Sequence, residues 1–384
     1  MAKTYTRISA DSHLEVPPDR WAVRVDKKYQ GLAPRRVTLP TGGDGFVVEG
    51  GIYQGGMNLY AGKTPEEFSP IGLKWDEMAG TGGPDQRIKE LDADGIEAEV
   101  MFPGVGGVRN MCKGIKDDEG YNALTRSYNE WLVEDFCSYA PDRLLGVGCI
   151  PDRSLEAAME TLEYCAKAGL KSVELNGFPA AKSYPSAEDD RFWAAVVEMD
   201  MPLTIHVNFS ASSSKGPVFK YPTQPPEHLR PADFVVRLAR YGIRSAQNAV
   251  QLVMGGVFDR FPTLKIYWAE AQLGWIPIYL EQMDHNYERH RHWAERLYGL
   301  KPLKRRPSEY IKEHMYWGFF DDPIGVKMRH EIGVDHVLWG GDFPHVESDW
   351  PNSGALLERL FADVPAEEAQ KMAAGNAARF FHLD

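Results

Sequence analysis

The sequence predicts an α/β protein, a (β/α)8 TIM barrel with long insertions after its first and fifth strands. Two observations carry that expectation. Eight short apolar or β-branched runs alternate with stretches of helical period, and strands that alternate with helices build a parallel sheet that eight of them can close. The first, fifth, sixth and eighth runs also end in residues able to bind a metal: Asp11 and His13, then His206, then Glu270, then Asp342. A closed parallel barrel gathers all strand C-termini on one face, so these distant residues would converge there. An open doubly wound sheet is the architectural alternative.

The strands are read over residues 7–10, 98–102, 144–150, 171–175, 203–207, 264–268, 315–319 and 336–340. Apolar residues recur at helix spacing from Asn122 to Tyr139. Ser154 is placed to cap a helix that Gly169 ends, and a second capped helix starts near Ser186. Longer helices are expected from Ala232 to Val257 and from Ile276 to Leu297. A last helical segment, Ala355 to Phe381, is expected to pack on the barrel's outside. The chain reads as one domain over residues 1–384. Within it lie a Gly- and Pro-rich insertion at 22–83, lid-like in character, and a second long connection at 207–231. Loops after barrel strands overhang the active face, so both could wall a substrate site; oligomer contact is the equal alternative.

Composition narrows the function classes. A net charge of −12 argues against nucleic-acid or anionic-membrane binding, which call for a basic face. The one basic stretch, Lys301 to Arg306, reads as a solvated loop. There is no long apolar run and no basic-then-apolar leader, so a cytoplasmic protein is expected. Cys112, Cys137, Cys149 and Cys165 form no C-x-x-C pair and read as buried thiols.

A catalytic divalent metal needs about three protein ligands and an open position. Asp11 and His13 lie two apart, so on a strand both side chains point the same way. His206 ends an apolar strand, and Asp342 follows Gly340-Gly341 with His345 three residues on. His206 or Asp342 alone is as easily structural; their joint placement at strand ends is what points to a metal.

Several motifs support the same reading. They are Asp11-Ser12-His13-Leu14-Glu15, Tyr128-Asn129-Glu130-Trp131, Ala140-Pro141-Asp142-Arg143-Leu144, Gly255-Gly256-Val257-Phe258-Asp259-Arg260-Phe261-Pro262 and Gly341-Asp342-Phe343-Pro344-His345. With them the chain resembles the amidohydrolase-related (amidohydrolase 2) family of metal-dependent barrel enzymes. That group includes aminocarboxymuconate-semialdehyde and γ-resorcylate decarboxylases. The resemblance implies Asp11, His13, His206 and Asp342 as ligands of one divalent ion, zinc foremost, with manganese or iron as alternatives. Where decarboxylase members tend to carry a histidine after the sixth strand, this chain has Glu270.

That departure favours a hydrolase, in which metal-activated water attacks a carbonyl of a small cyclic or aromatic substrate. Asp342 and Glu270 would move the proton, and His345 would donate to the oxyanion or orient Asp342. Nonoxidative decarboxylation of an aromatic or unsaturated acid is the alternative, and a non-catalytic binding protein the third reading. Asn208, Trp317 and His285 are the candidate substrate contacts. Phe209, Trp268 and Trp275 are aromatic neighbours that suit either packing or a flat ligand. A homo-oligomer is expected.

Overall fold

The computed structural model describes residues 4–56, 59–104, 108–209 and 243–383. After strand β1 (Ile8–Leu14) the chain makes an excursion that carries an antiparallel sheet, β2 (Arg35–Thr38), β3 (Asp44–Val48) and β4 (Gly51–Gln54). It returns with β5 (Ala98–Pro103), β6 (Leu144–Cys149), β7 (Ser172–Leu175), β8 (Leu203–His206), β9 (Ile266–Ala269), β10 (Met315–Phe319) and β11 (Val337–Trp339). These join β1 in one eight-stranded parallel sheet, in chain order. The barrel closes just beyond β11: the Asp342 N–H donates to the Asp11 carbonyl (2.9 Å) and the His13 N–H to the Phe343 carbonyl (2.7 Å).

Alternation along the strands sorts side chains into two apolar cores. Ile8, Ala10, Ala98, Val100, Phe102, Leu145, Val147, Tyr267, Ala269 and Leu338 fill the barrel interior. Their strand neighbours, such as Met101, Val173, Trp268, Trp317 and Trp339, pack outward against the helices. The C-terminal segment departs from expectation. It is not one helix but the pieces Ser353–Leu360, Ala366–Gln370 and Asn376–Phe380, with a π-turn at Lys371–Gly375. Leu356, Leu357, Leu360 and Met372 pack into the outer core as expected, whereas Ala374, Ala377, Phe380 and Phe381 join the interior core.

Local signals worked where capping chemistry was explicit. The Ser154 hydroxyl accepts the Ala157 N–H (3.2 Å) and starts the helix Leu155–Lys167, and Gly169, at φ +81, follows its end. Ser186 and Asp189 form a reciprocal capping box before Asp190–Glu198. The helix expected over 122–139 runs as Asp118–Trp131 and then loosens into a π-turn at Leu132–Phe136. Of the helix expected over 232–257, residues 232–242 lie outside the described residues, as does 210–231 of the second long connection. Ile276–Tyr298 forms as one long helix.

Nothing in the sequence reading anticipated the sheet inside the first insertion. Phe46, Val48, Leu59, Leu73 and Trp75 from that insertion are buried in the outer core. The Tyr60 and Ala61 N–H groups donate to the Pro344 carbonyl (3.0 and 3.1 Å), so the insertion rests on the loop that follows β11. The four cysteines are free thiols, and all but Cys137 are buried. No helix among the described residues is long and apolar enough to cross a membrane.

One buried ion pair braces the barrel's closure. Arg87, on the helix Pro84–Asp94, forms a bidentate pair with Glu99 of β5, and its Nη1 donates to the His13 carbonyl (3.0 Å). Its guanidinium also lies 4.5 Å over the Phe343 ring. Removing one partner of a buried pair strands the other charge, so Arg87→Met should lower stability by about 3–5 kcal/mol. Urea unfolding will measure it, and Arg87→Met/Glu99→Met should recover most of the loss.

Candidate metal centre

Asp11 and His13 face the barrel interior because of an irregularity in β1. Between Ser9 and Ser12 the strand takes three steps while its partner β5 takes two, from Glu99 to Met101. Such a bulge reverses the inward–outward phase of everything after it. Before it, Ile8 points inward and Ser9 lies opposite Glu99, on the side of the Arg87 helix. After it, His13 lies opposite the inward Phe102. Asp11 and His13 are thereby re-aimed into the cavity.

The other contributors sit where strands end in strained backbone. Val207, Glu270 and Asp342 all have positive φ, +58, +54 and +48. Left-handed backbone is uncommon for any residue with a Cβ and an outlier for a β-branched one, and costs of order 1–3 kcal/mol each. Val207 and Asp342 are pinned by neighbouring bonds. The Val207 N–H still reaches the Ala269 carbonyl, and the Asn208 N–H folds back on the His206 carbonyl (2.7 Å), a tight γ-turn. The Asp342 N–H bonds Asp11, and the His345 N–H returns to the Asp342 carbonyl (2.7 Å).

These bends bring six side chains together. Ligand atoms of Asp11, His13, His206 and Glu270 lie within 4.8 Å of one another, and so do those of His13, Glu270, Asp342 and His345. Asp11 Oδ1 is 3.6 Å from both His13 Nε2 and His206 Nε2, and Asp342 Oδ1 is 3.0 Å from His13 Nε2. The 3.6 Å separations exceed hydrogen-bond length, yet the atoms face one another, as donors spaced around a common ion do. Mixed imidazole and carboxylate donors of this kind suit a first-row divalent cation. The residues fit the group that the sequence implied.

Electrostatics within the cluster are strongly polarised. Burial and the charge of His345 push the His13 imidazole down to about 4, only partly opposed by Asp342. That favours the neutral ring a metal ligand must present. Burial would push the Asp342 carboxyl up, but His345 and His13 outweigh it and hold it well below the usual carboxylate range. Burial also opposes charge on His345, yet Asp342 and Glu15 raise it to about 10.

Not every expected residue reaches the group. Trp317 lies on the outward face of β10, packed against Trp268 and Trp275 with ring centroids 5.8 and 5.6 Å away, because the strand's alternation gives the interior to Tyr316 and Gly318. His285 is exposed on the helix Ile276–Tyr298 and is not among the converging residues. Asn208 lies two residues beyond His206, but its side-chain amide donates to the Phe209 carbonyl (2.7 Å). Glu15 is the residue the sequence reading overlooked: buried, it accepts from His345 Nε2 at 2.9 Å. Its signal was the two-residue spacing Asp11, His13, Glu15, which continues the inward phase of β1.

Residues 10–383 match the amidohydrolase family, and the chain belongs to it. It is 26% identical over 318 residues to a γ-resorcylate decarboxylase of Polaromonas sp. strain JS666, spanning 78% of this chain and 87% of that protein. In fold it is similar to an amidohydrolase of Mycobacterium avium subsp. paratuberculosis (TM-score 0.75, 19% identity, 99% and 100% of the two chains covered). It is similar again to a 5-carboxyvanillate decarboxylase of Novosphingobium aromaticivorans with bound manganese and a methoxy-hydroxy-nitrobenzoic acid (TM-score 0.69, 19% identity, 100% of both chains covered). Relatives that decarboxylate aromatic acids overturn the expectation of a hydrolase. Both chemistries use the same kinds of ligand at the same strand ends, which is why the residues could not separate them. The metal in the solved relative is manganese, and zinc gains no support.

The closure leaves no room beside Asp11. A Cβ on Gly340 would lie 2.5 Å from the Asp11 Cβ and 3.0 Å from its backbone nitrogen. Gly340→Ala should therefore part the seam, lower stability by about 1–3 kcal/mol and reduce bound metal. Thermal melting with elemental analysis of the purified protein checks both.

Proposed function

We propose that this protein is a metal-dependent, nonoxidative decarboxylase of an aromatic acid, most simply a hydroxybenzoate. The supporting observation is the buried donor set at the C-terminal mouth of the barrel, in a chain whose relatives remove carbon dioxide from such acids. Asp11, His13, His206 and Asp342 would hold one divalent ion, with manganese the first candidate from the solved relative. When bound, the cation supplies positive charge against which a carboxylate and a neighbouring phenolic oxygen can be oriented.

The chain's own residues then divide the remaining work. His345 is engaged by Asp342 at Nδ1 (3.2 Å) and by Glu15 at Nε2, so it orients the Asp342 carboxylate and does not face substrate. Glu270 is the proton donor. The bond from ring carbon to carboxyl carbon breaks, its electron pair stays on the ring, and carbon dioxide leaves. The ring carbon takes one proton from Glu270, which solvent restores. Phe102, edge-on to His206 with ring centroids 5.0 Å apart, forms an apolar floor that excludes water beneath the ligands.

Manganese-loaded protein should release carbon dioxide from dihydroxybenzoates or carboxyvanillate, and in heavy water the product should gain one ring deuterium. Incorporation of solvent oxygen into product without carbon dioxide release would defeat the reading. His206→Asn and Asp342→Asn should lose both bound metal and turnover. Glu270→Gln should keep its metal and lose about 10²–10⁴-fold in kcat, the usual range for a general acid.

A further inference from the structure

Glu15 stands outside the ligand set and outside the reaction just described. It is nonetheless buried at the heart of the site, and its carboxylate meets His345 Nε2 at 2.9 Å. The opposite nitrogen of that ring lies 3.2 Å from Asp342 Oδ1. The ring itself is stacked on His13, centroids 3.9 Å apart and planes 19° from parallel. Stacking confines the imidazole to a plane, and within that plane Glu15 fixes one edge while the other grips Asp342. Space for this arrangement comes from Gly104, whose N–H bonds the Leu14 carbonyl (3.2 Å). A Cβ there would lie 2.2 Å from Glu15 Oε1.

We infer that Glu15 is a positioning residue that sets the Asp342 carboxylate through His345, and that Gly104 is kept small to seat it. The inference rests on reading Asp342 as a metal ligand. Outer partners of ligating groups are worth 10–100-fold in metal affinity in other centres.

The test is manganese affinity, measured by calorimetric titration of the full chain, with circular dichroism confirming the fold. Glu15→Ala should weaken binding by about 10–100-fold. Glu15→Gln retains an acceptor oxygen for Nε2 and should bind within a few-fold of the parent. Gly104→Ala keeps the Glu15 charge but displaces the carboxylate, and should bind more weakly than Glu15→Gln. That order separates placement from charge, since a purely electrostatic role would reverse it, and it holds even where Glu15→Ala fails to fold. Parental affinity in Gly104→Ala, or Glu15→Gln as weak as Gly104→Ala, overturns the inference. Turnover is not the readout. Parent protein that binds manganese yet decarboxylates no hydroxybenzoate would defeat the proposed function and leave Glu15's role intact.

Discussion

The seam where the first and last strands meet sets both the barrel's closure and the geometry of its centre. Asp11 contributes its carbonyl to that seam, His13 its N–H and Asp342 its N–H, while the side chains of the same three residues turn into the cavity. Backbone pairing and the placement of these side chains are therefore one constraint. A slip of one residue would break two hydrogen bonds and also carry each side chain to the wrong face. Arg87 reinforces the arrangement from outside by bonding the His13 carbonyl and covering the Phe343 ring, with Glu99 balancing its charge. The insertion adds a further brace by holding the Pro344 carbonyl.

Closure alone would not gather these side chains, because regular strands direct alternate residues to opposite faces. Two devices solve this. In β1 an extra residue shifts the phase so that Asp11 and His13 follow Ala10 inward. At β8, β9 and β11 the chain turns through left-handed backbone at Val207, Glu270 and Asp342, ending each strand sharply. Glycine would adopt those angles with less strain. At Glu270 and Asp342 it could not supply a carboxylate, so the conformational strain is tied to the chemistry.

These devices explain what could be read from the sequence. Element type and order were legible because apolar runs, caps at Ser154 and Ser186, and stop signals such as Gly169 are local. That Asp11, His13, His206, Glu270 and Asp342 lie at one end of the barrel followed from its topology. Facing was harder. The bulge between Ser9 and Ser12 leaves no compositional mark, and Trp317 looked like a site aromatic when its parity on β10 sends it outward. Glu15 was hidden because its partner, His345, is 330 residues away. The end of the C-terminal segment, from Ala374 on, was misplaced because alanine and phenylalanine suit an outer helix and an interior plug equally well.

The donor set also bears on which ion it would hold. With Glu270 assigned to the proton under the proposed function and His345 committed to Asp342 and Glu15, Asp11 and Asp342 offer carboxylate oxygens beside two imidazoles, His13 and His206. No cysteine belongs to either converging group. Thiolate and imidazole donors favour zinc, whereas carboxylates move preference toward harder ions such as manganese. Two carboxylates and two imidazoles without a thiolate admit manganese, the metal bound in the solved relative, while the proposed decarboxylation rests on the relatives and not on this donor set.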